Sequence, residues 1–210
     1  TRMDKTFRNF IFDFGGVLYR IDHSRTTSAF AELAGLEDPD EIIKVSKVFY
    51  KNAVIPYEKG EFTTEDFYDK SRKILQIPNA PDSDIKDAWM QVLVEPYPDS
   101  EDLIREFASV GNLVLLSNSN ELHRNHFSRE CTGLFEYFDE LFFSYELKLM
   151  KPDEKIFREV IERTNFDPSQ TLFIDDTPEN VKSAERTGLS VQLIKNHSDL
   201  SDLLHTVKPT

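Results

Sequence analysis

Apolar positions along the chain fall into two textures. At Asn9–Phe12, Leu113–Leu116, Leu141–Ser144, Thr171–Ile174 and Val191–Ile194 they come as short, nearly unbroken runs. Such runs mark strands of a parallel sheet covered on both faces. Between about residues 20 and 96 the runs disappear, and apolar residues recur at the spacing of helices with one buried face. The helix starts there are legible. Asp38-Pro39-Asp40-Glu41 places a capping carboxylate, a proline and acids ahead of Ile42, Ile43, Val45, Val48 and Phe49. Thr63-Thr64-Glu65-Asp66 does the same for Phe67, Tyr68 and Ile74, and Asp82-Ser83-Asp84 for Ile85, Trp89 and Met90. Pro96 and Pro98 close the stretch, and a helix from Asp99 or Ser100 runs to Gly111. After it, strands and helices alternate, with amphipathic helices following Pro152 and Thr177-Pro178 and a short one near Leu200–Val207. The pattern predicts an α/β fold: a doubly wound parallel sheet built from residues 1–19 and 97–210, with an all-helical cap, residues 20–96, inserted after the first strand.

Polar residues collect where these strands end. Asp13 follows the first strand and precedes Gly15-Gly16, Ser117 ends the second, Lys151 follows the third, and Asp175-Asp176 ends the fourth. Open parallel sheets gather ligands at these carboxyl ends. Each residue also has a plain structural reading: Asp13 as a turn cap, Ser117 as a helix N-cap, Lys151 as a solvated charge, and the aspartate pair as acids favoured by a helix dipole. Converging carboxylates, however, repel unless a cation lies among them, and hard oxygen ligands suit Mg²⁺.

Charge and cysteine content narrow the partners. A net charge of −13 and a pI near 4.8 disfavour nucleic acid and anionic membrane. The single cysteine, Cys131, precludes an internal disulfide and fits a reducing compartment, so a cytoplasmic location is expected. No apolar run reaches membrane-spanning length, and the first residues carry no signal-peptide pattern.

Four motifs in order, Asp13-Phe14-Gly15-Gly16-Val17, Leu116-Ser117-Asn118, Lys151-Pro152 and Phe173-Ile174-Asp175-Asp176, resemble those of the haloacid dehalogenase-like superfamily, mostly phosphatases with an aspartate nucleophile. The insertion resembles that family's C1 helical cap. Within the family, the bacterial α-glucose-1-phosphatase type shares the Ser117-Asn118-Ser119-Asn120 run, the Lys-Pro run and the paired aspartates. The resemblance implies that Asp13 attacks phosphorus and forms an aspartyl phosphate. It implies Mg²⁺ held by Asp13, the Gly15 carbonyl and Asp176, with Asp175 orienting its neighbours. Ser117 and Asn118 would bind phosphoryl oxygens, and Lys151 would offset charge on the nucleophile and the transferring group. A small phosphorylated metabolite is the implied substrate. Arg20, Asp22 and Lys59 are the expected polar contacts from the cap.

The chain departs from the family at one point. Most of its phosphatases carry a second aspartate, the general acid, where this chain has Gly15. Substrates with good leaving groups would need it less, or Tyr19, Asp22 or His23 would replace it. The glycine also leaves open a non-catalytic phosphate-binding module, and a metal-independent dehalogenase, for which the aspartate pair has no purpose. His123, His126 and Cys131 read as residues of a solvated helix face rather than a zinc site, with His123 within reach of substrate from the site rim, and the cap aromatics, Phe49, Tyr50, Tyr57, Phe62, Phe67, Tyr68 and Trp89, read mostly as cap core with one or two facing the cleft.

Overall fold

A computed structural model describes residues 7–208; residues 1–6 and 209–210 of the expected core segments lie outside the described residues. Five of its strands form one parallel sheet: β1 (Asn9–Phe12), β4 (Asn112–Ser117), β5 (Glu140–Phe143), β6 (Thr171–Asp175) and β7 (Ser190–Leu193). Their order is β5-β4-β1-β6-β7, with β1 in the centre. Two more, β2 (Tyr19–Ile21) and β3 (Leu93–Pro96), pair antiparallel as a separate ribbon.

The unbroken apolar runs have the cause expected of them. Side chains alternate across a strand, so Phe10 and Phe12 enter one hydrophobic cluster and Ile11 the other. The same division separates Leu113 and Leu115 from Val114 and Leu116, and Leu172 and Ile174 from Phe173. One face is covered by α6 (Ser100–Ala108), α7 (Glu121–Glu130), α8 (Thr132–Phe135) and α12 (Asp199–Val207), the other by α10 (Glu154–Thr164) and α11 (Pro178–Glu185). Burying each such aromatic or branched side chain contributes about 1.5–3 kcal/mol. The central strand is therefore fixed from both sides.

The inserted layer contains α1 (His23–Ala34), α2 (Pro39–Phe49), a π-helical turn over Tyr50–Val54, α3 (Ile55–Glu58), α4 (Thr64–Leu75) and α5 (Asp82–Met90). Asp38 caps α2, and Thr63 with Asp66 forms the reciprocal capping box of α4. Phe30, Phe49, Tyr57, Phe67 and Trp89 make its own small core. Two things differ from the sequence expectation. Helix α1 was not among the predicted helices, and the segment expected to be all-helical opens and closes on the β2/β3 ribbon, with β2 crossing the boundary after residue 19 and β3 ending at residue 96. The Arg20–Glu95 ion pair, at 2.6 Å, lies across that ribbon.

Candidate active site

Parallel register sets the geometry at the sheet's edge. Phe12 stands beside Ile174 on one side and Leu115 on the other, so Asp13 emerges next to Asp175, and its amide donates to the Ile174 carbonyl at 2.9 Å. Lys151 reaches in from the loop after α9 (Ser144–Leu147). Its ammonium lies 2.8 Å from Asp13 Oδ1 and 2.6 Å from Asp175 Oδ2. All three side chains are buried. Burial alone would lower the lysine's pKa, but the two carboxylates reverse this and raise it.

Asp175 is fully committed. Besides Lys151, its carboxylate accepts the Thr177 amide at 2.8 Å and the Asn180 amide group at 3.1 Å from both oxygens. Asn118 makes a reciprocal pair with Lys151, donating to its carbonyl and accepting from its amide, each at 2.9 Å. This bond pair locks the lysine loop onto the end of β4. The Ser117 hydroxyl, buried, makes only a long 3.3 Å contact to the Asn118 carbonyl among the described residues, so it is free to turn toward a ligand.

Asp13, Asp175 and Asp176 each bring a carboxylate oxygen within 4.8 Å of the others. Burial, then repulsion from Asp175, pushes Asp13 above the ordinary carboxylate range, and Asp176 is raised by the same two causes in the same order. Three carboxylates against one ammonium leave two negative charges uncompensated, which one divalent cation would balance. The donors for it are in place. Asp13 Oδ1 is occupied by Lys151 and the Phe14 amide, whereas Oδ2 has no hydrogen-bond partner among the described residues. Asp176 accepts a 3.3 Å bond from Thr177 Oγ1 and no other side-chain hydrogen bond among the described residues, and the Gly15 carbonyl accepts no hydrogen bond among them. Gly16 is required by the same crowding: at φ +81°, a Cβ there would stand 2.1 Å from Asp176 Oδ2. The donor set fits a hard dication.

Above these groups lies a cavity of about 830 Å³ shared with the inserted helices. Ser117, Asn118, Lys151 and Asp176 line it with Asp13. Arg20 and Asp22 do not: Arg20 is spent on Glu95, and Asp22 caps α1 by accepting from the Ser24 amide and hydroxyl. Tyr19 is buried away from the cavity with its hydroxyl donating to Glu130 at 2.5 Å. Of the named substitutes for the general acid, only His23 lines the cavity. Lys59 does not reach it, but its neighbour Glu58 does. His123 is not on a solvated face: it is buried, stacked on Trp89 at 4.8 Å, and lines the cavity, and burial depresses its pKa to about 3. Sequence reasoning missed Asn180, Ser144 and Glu58. Asn180 alone had a signal, since it lies one helical turn beyond the Thr177-Pro178 helix start that follows the aspartate pair.

Residues 7–188 match the family model described as haloacid dehalogenase-like hydrolase. The chain is similar to a D-ribitol-5-phosphate phosphatase of Bacteroides thetaiotaomicron, 30% identical over 91% of this chain and 94% of that one. It is 27% identical to a sesquiterpene phosphatase of Aspergillus oryzae, over 89% of each. Among solved structures, a haloacid dehalogenase family enzyme of Bacteroides thetaiotaomicron, in complex with magnesium and inorganic phosphate, superposes with a TM-score of 0.82 at 29% identity, covering 94% of this chain and 98% of that one.

Proposed function

This chain belongs to the haloacid dehalogenase-like hydrolase family, and we propose that, as a magnesium-dependent phosphatase of that family, it hydrolyses a small phosphate monoester through an aspartyl phosphate on Asp13. The observation that carries this reading is the convergence of Asp13, Lys151, Ser117 and the Asp175-Asp176 pair at one end of the sheet, where all but the fully buried Asp175 line one cavity.

Asp13 and Asp176, with the Gly15 carbonyl, are the residues that would hold Mg²⁺. Bound there, the ion supplies positive charge that lets an anionic nucleophile meet an anionic phosphoryl group. Asp13 attacks phosphorus through its carboxylate, which Lys151 and the Phe14 amide hold in place at Oδ1. Lys151 spreads positive charge over the nucleophile and the transferring oxygens, and the Ser117 hydroxyl and the main chain beyond it donate to those oxygens. Asp175, anchored by Thr177 and Asn180, fixes the lysine. The segment 20–96 acts as a cap that excludes water while phosphorus is attacked.

The substrate's non-phosphate part faces a mixed wall. Glu58, His23, Tyr50 and Thr27 offer polar contacts, as a polyol or sugar phosphate requires, in keeping with the ribitol-5-phosphate relative. A second reading rests on the apolar share of that wall. Phe30, Leu36, Ile42, Val45, Phe49 and Leu75 also line it, which suits the phosphate of an apolar alcohol.

Phosphate release from ribitol 5-phosphate, glucose 1-phosphate and farnesyl phosphate, with Mg²⁺ and with EDTA, separates the readings. Release from one or more of them that EDTA abolishes is the expected result, and a ranking led by farnesyl phosphate would select the second reading. Turnover unaffected by EDTA would contradict the magnesium assignment. Binding of Mg²⁺ with no release from any of them would leave a phosphate-binding module. No helix among the described residues is long and apolar enough to cross a membrane.

A further inference from the structure

A phosphate monoester needs a proton on its leaving oxygen unless the departing alcohol is acidic. Asp13, Lys151 and Asp175 are engaged with one another, Asp176 is one of the residues that would hold the cation, and Gly15 has no side chain. Tyr19 and Asp22 are turned elsewhere. The donor must therefore come from the cap side, where His23 and Glu58 both line the cavity.

Glu58, the last residue of α3, lines the same cavity as Asp13. Its position relative to the phosphate loop is fixed by one hydroxyl. Ser144 Oγ donates to the Glu58 carbonyl at 2.6 Å and accepts the Ser119 amide at 2.9 Å. Residue 58 is thereby tied to the loop that begins at Ser117, two residues before Ser119. A second tie, from Lys148 Nζ to the Gly60 carbonyl, anchors the same edge of the cap to the core. The Glu58 side chain is half-buried, and no cation pairs with it among the described residues. Burial pushes its carboxyl up to about 7, and Tyr50, another cavity residue, feels its charge.

We infer that Glu58 is the proton donor to the leaving oxygen, held by Ser144 beside the phosphate loop in place of the acid that Gly15 cannot supply. The inference rests on the phosphatase reading above. In the step, an Asp13 oxygen forms a bond to phosphorus and the bond from phosphorus to the ester oxygen breaks. The proton of the Glu58 carboxyl passes to that oxygen, which leaves as the neutral alcohol, and Glu58 remains as a carboxylate that regains a proton from solvent.

The test compares two substrates of nearly equal size and different leaving group, phenyl phosphate and 4-nitrophenyl phosphate, in single turnovers with enzyme and Mg²⁺ in excess. Under these conditions only the first step is read. Glu58→Gln keeps the shape and the Ser144 tie, which uses the main chain. Release of phenol should slow roughly 30- to 100-fold, whereas 4-nitrophenolate, which leaves without a proton, should slow less than about 3-fold. Equal losses on both substrates would make Glu58 a binding or structural residue and overturn the inference, as would no loss on either. Wild-type protein inert toward both, and toward ribitol 5-phosphate, glucose 1-phosphate and farnesyl phosphate as well, would instead overturn the phosphatase reading, and the inference with it.

Discussion

Asp13→Asn should lower turnover by at least about 10⁴-fold, the scale at which a covalent nucleophile is lost, without lowering the stability of the fold. The amide has the carboxylate's shape, and its oxygen can still accept the Phe14 amide, which now bonds Asp13 Oδ1 at 2.7 Å. Lys151 keeps its 2.6 Å partner in Asp175. Charge at residue 13 is itself unfavourable in the folded protein, since burial and Asp175 both oppose it, so a neutral side chain removes a repulsion. Phosphate release and thermal unfolding measured on one preparation check both halves. A variant within tenfold of wild-type turnover would show that some other group attacks phosphorus.

Lys151→Met should damage stability and activity together. The lysine is the only cation within ion-pair distance of Asp13 and Asp175 among the described residues, and all three are buried. Removing it leaves two carboxylates facing each other with no counter-charge, a change that costs about 3–5 kcal/mol when one member of a buried pair is deleted. Turnover should fall roughly 10²- to 10³-fold, because charge on the transferring group loses its stabiliser. Urea unfolding with and without Mg²⁺ gives a further check. A cation held by Asp13 and Asp176 beside Asp175 would replace part of the missing charge, so saturating Mg²⁺ should recover part of the stability lost. A variant as stable as wild type in the absence of metal would contradict the ion-pair network as the site's structural keystone.

The sheet and its ligand edge were legible because two independent signals coincide there. Unbroken apolar runs name the central strands, and the polar residue at each run's end names the site, so that Asp13, Ser117 and Asp175 fall into place once the register aligns β1, β4 and β6. Lys151 was legible from its motif, although only the fold shows that it bridges two aspartates. The ribbon escaped notice since its strands are three and four residues long and carry Arg20 and Glu95 in the middle, too short for a period of two to register. Helix α1 escaped for a different reason. Its sequence is rich in serine and threonine, and its buried positions, Thr26, Phe30 and Ala31, include only one large apolar residue.

Cap-side residues were the hardest to read, because which side of a helix faces the cleft is decided by packing between the two layers. Glu58 and Lys59 are adjacent, and only the tertiary placement selects the glutamate. His123 illustrates the opposite error: a polar face in sequence became a buried one once Trp89 of the cap stacked on it.

Acid quench of the enzyme during steady turnover with Mg²⁺, followed by mass spectrometry of its peptides, tests the covalent mechanism most directly. A phosphoryl group on the peptide carrying Asp13, absent from Asp13→Asn, is the predicted result. Sustained phosphate release with that peptide never modified, or with the phosphoryl group on another residue, would contradict it.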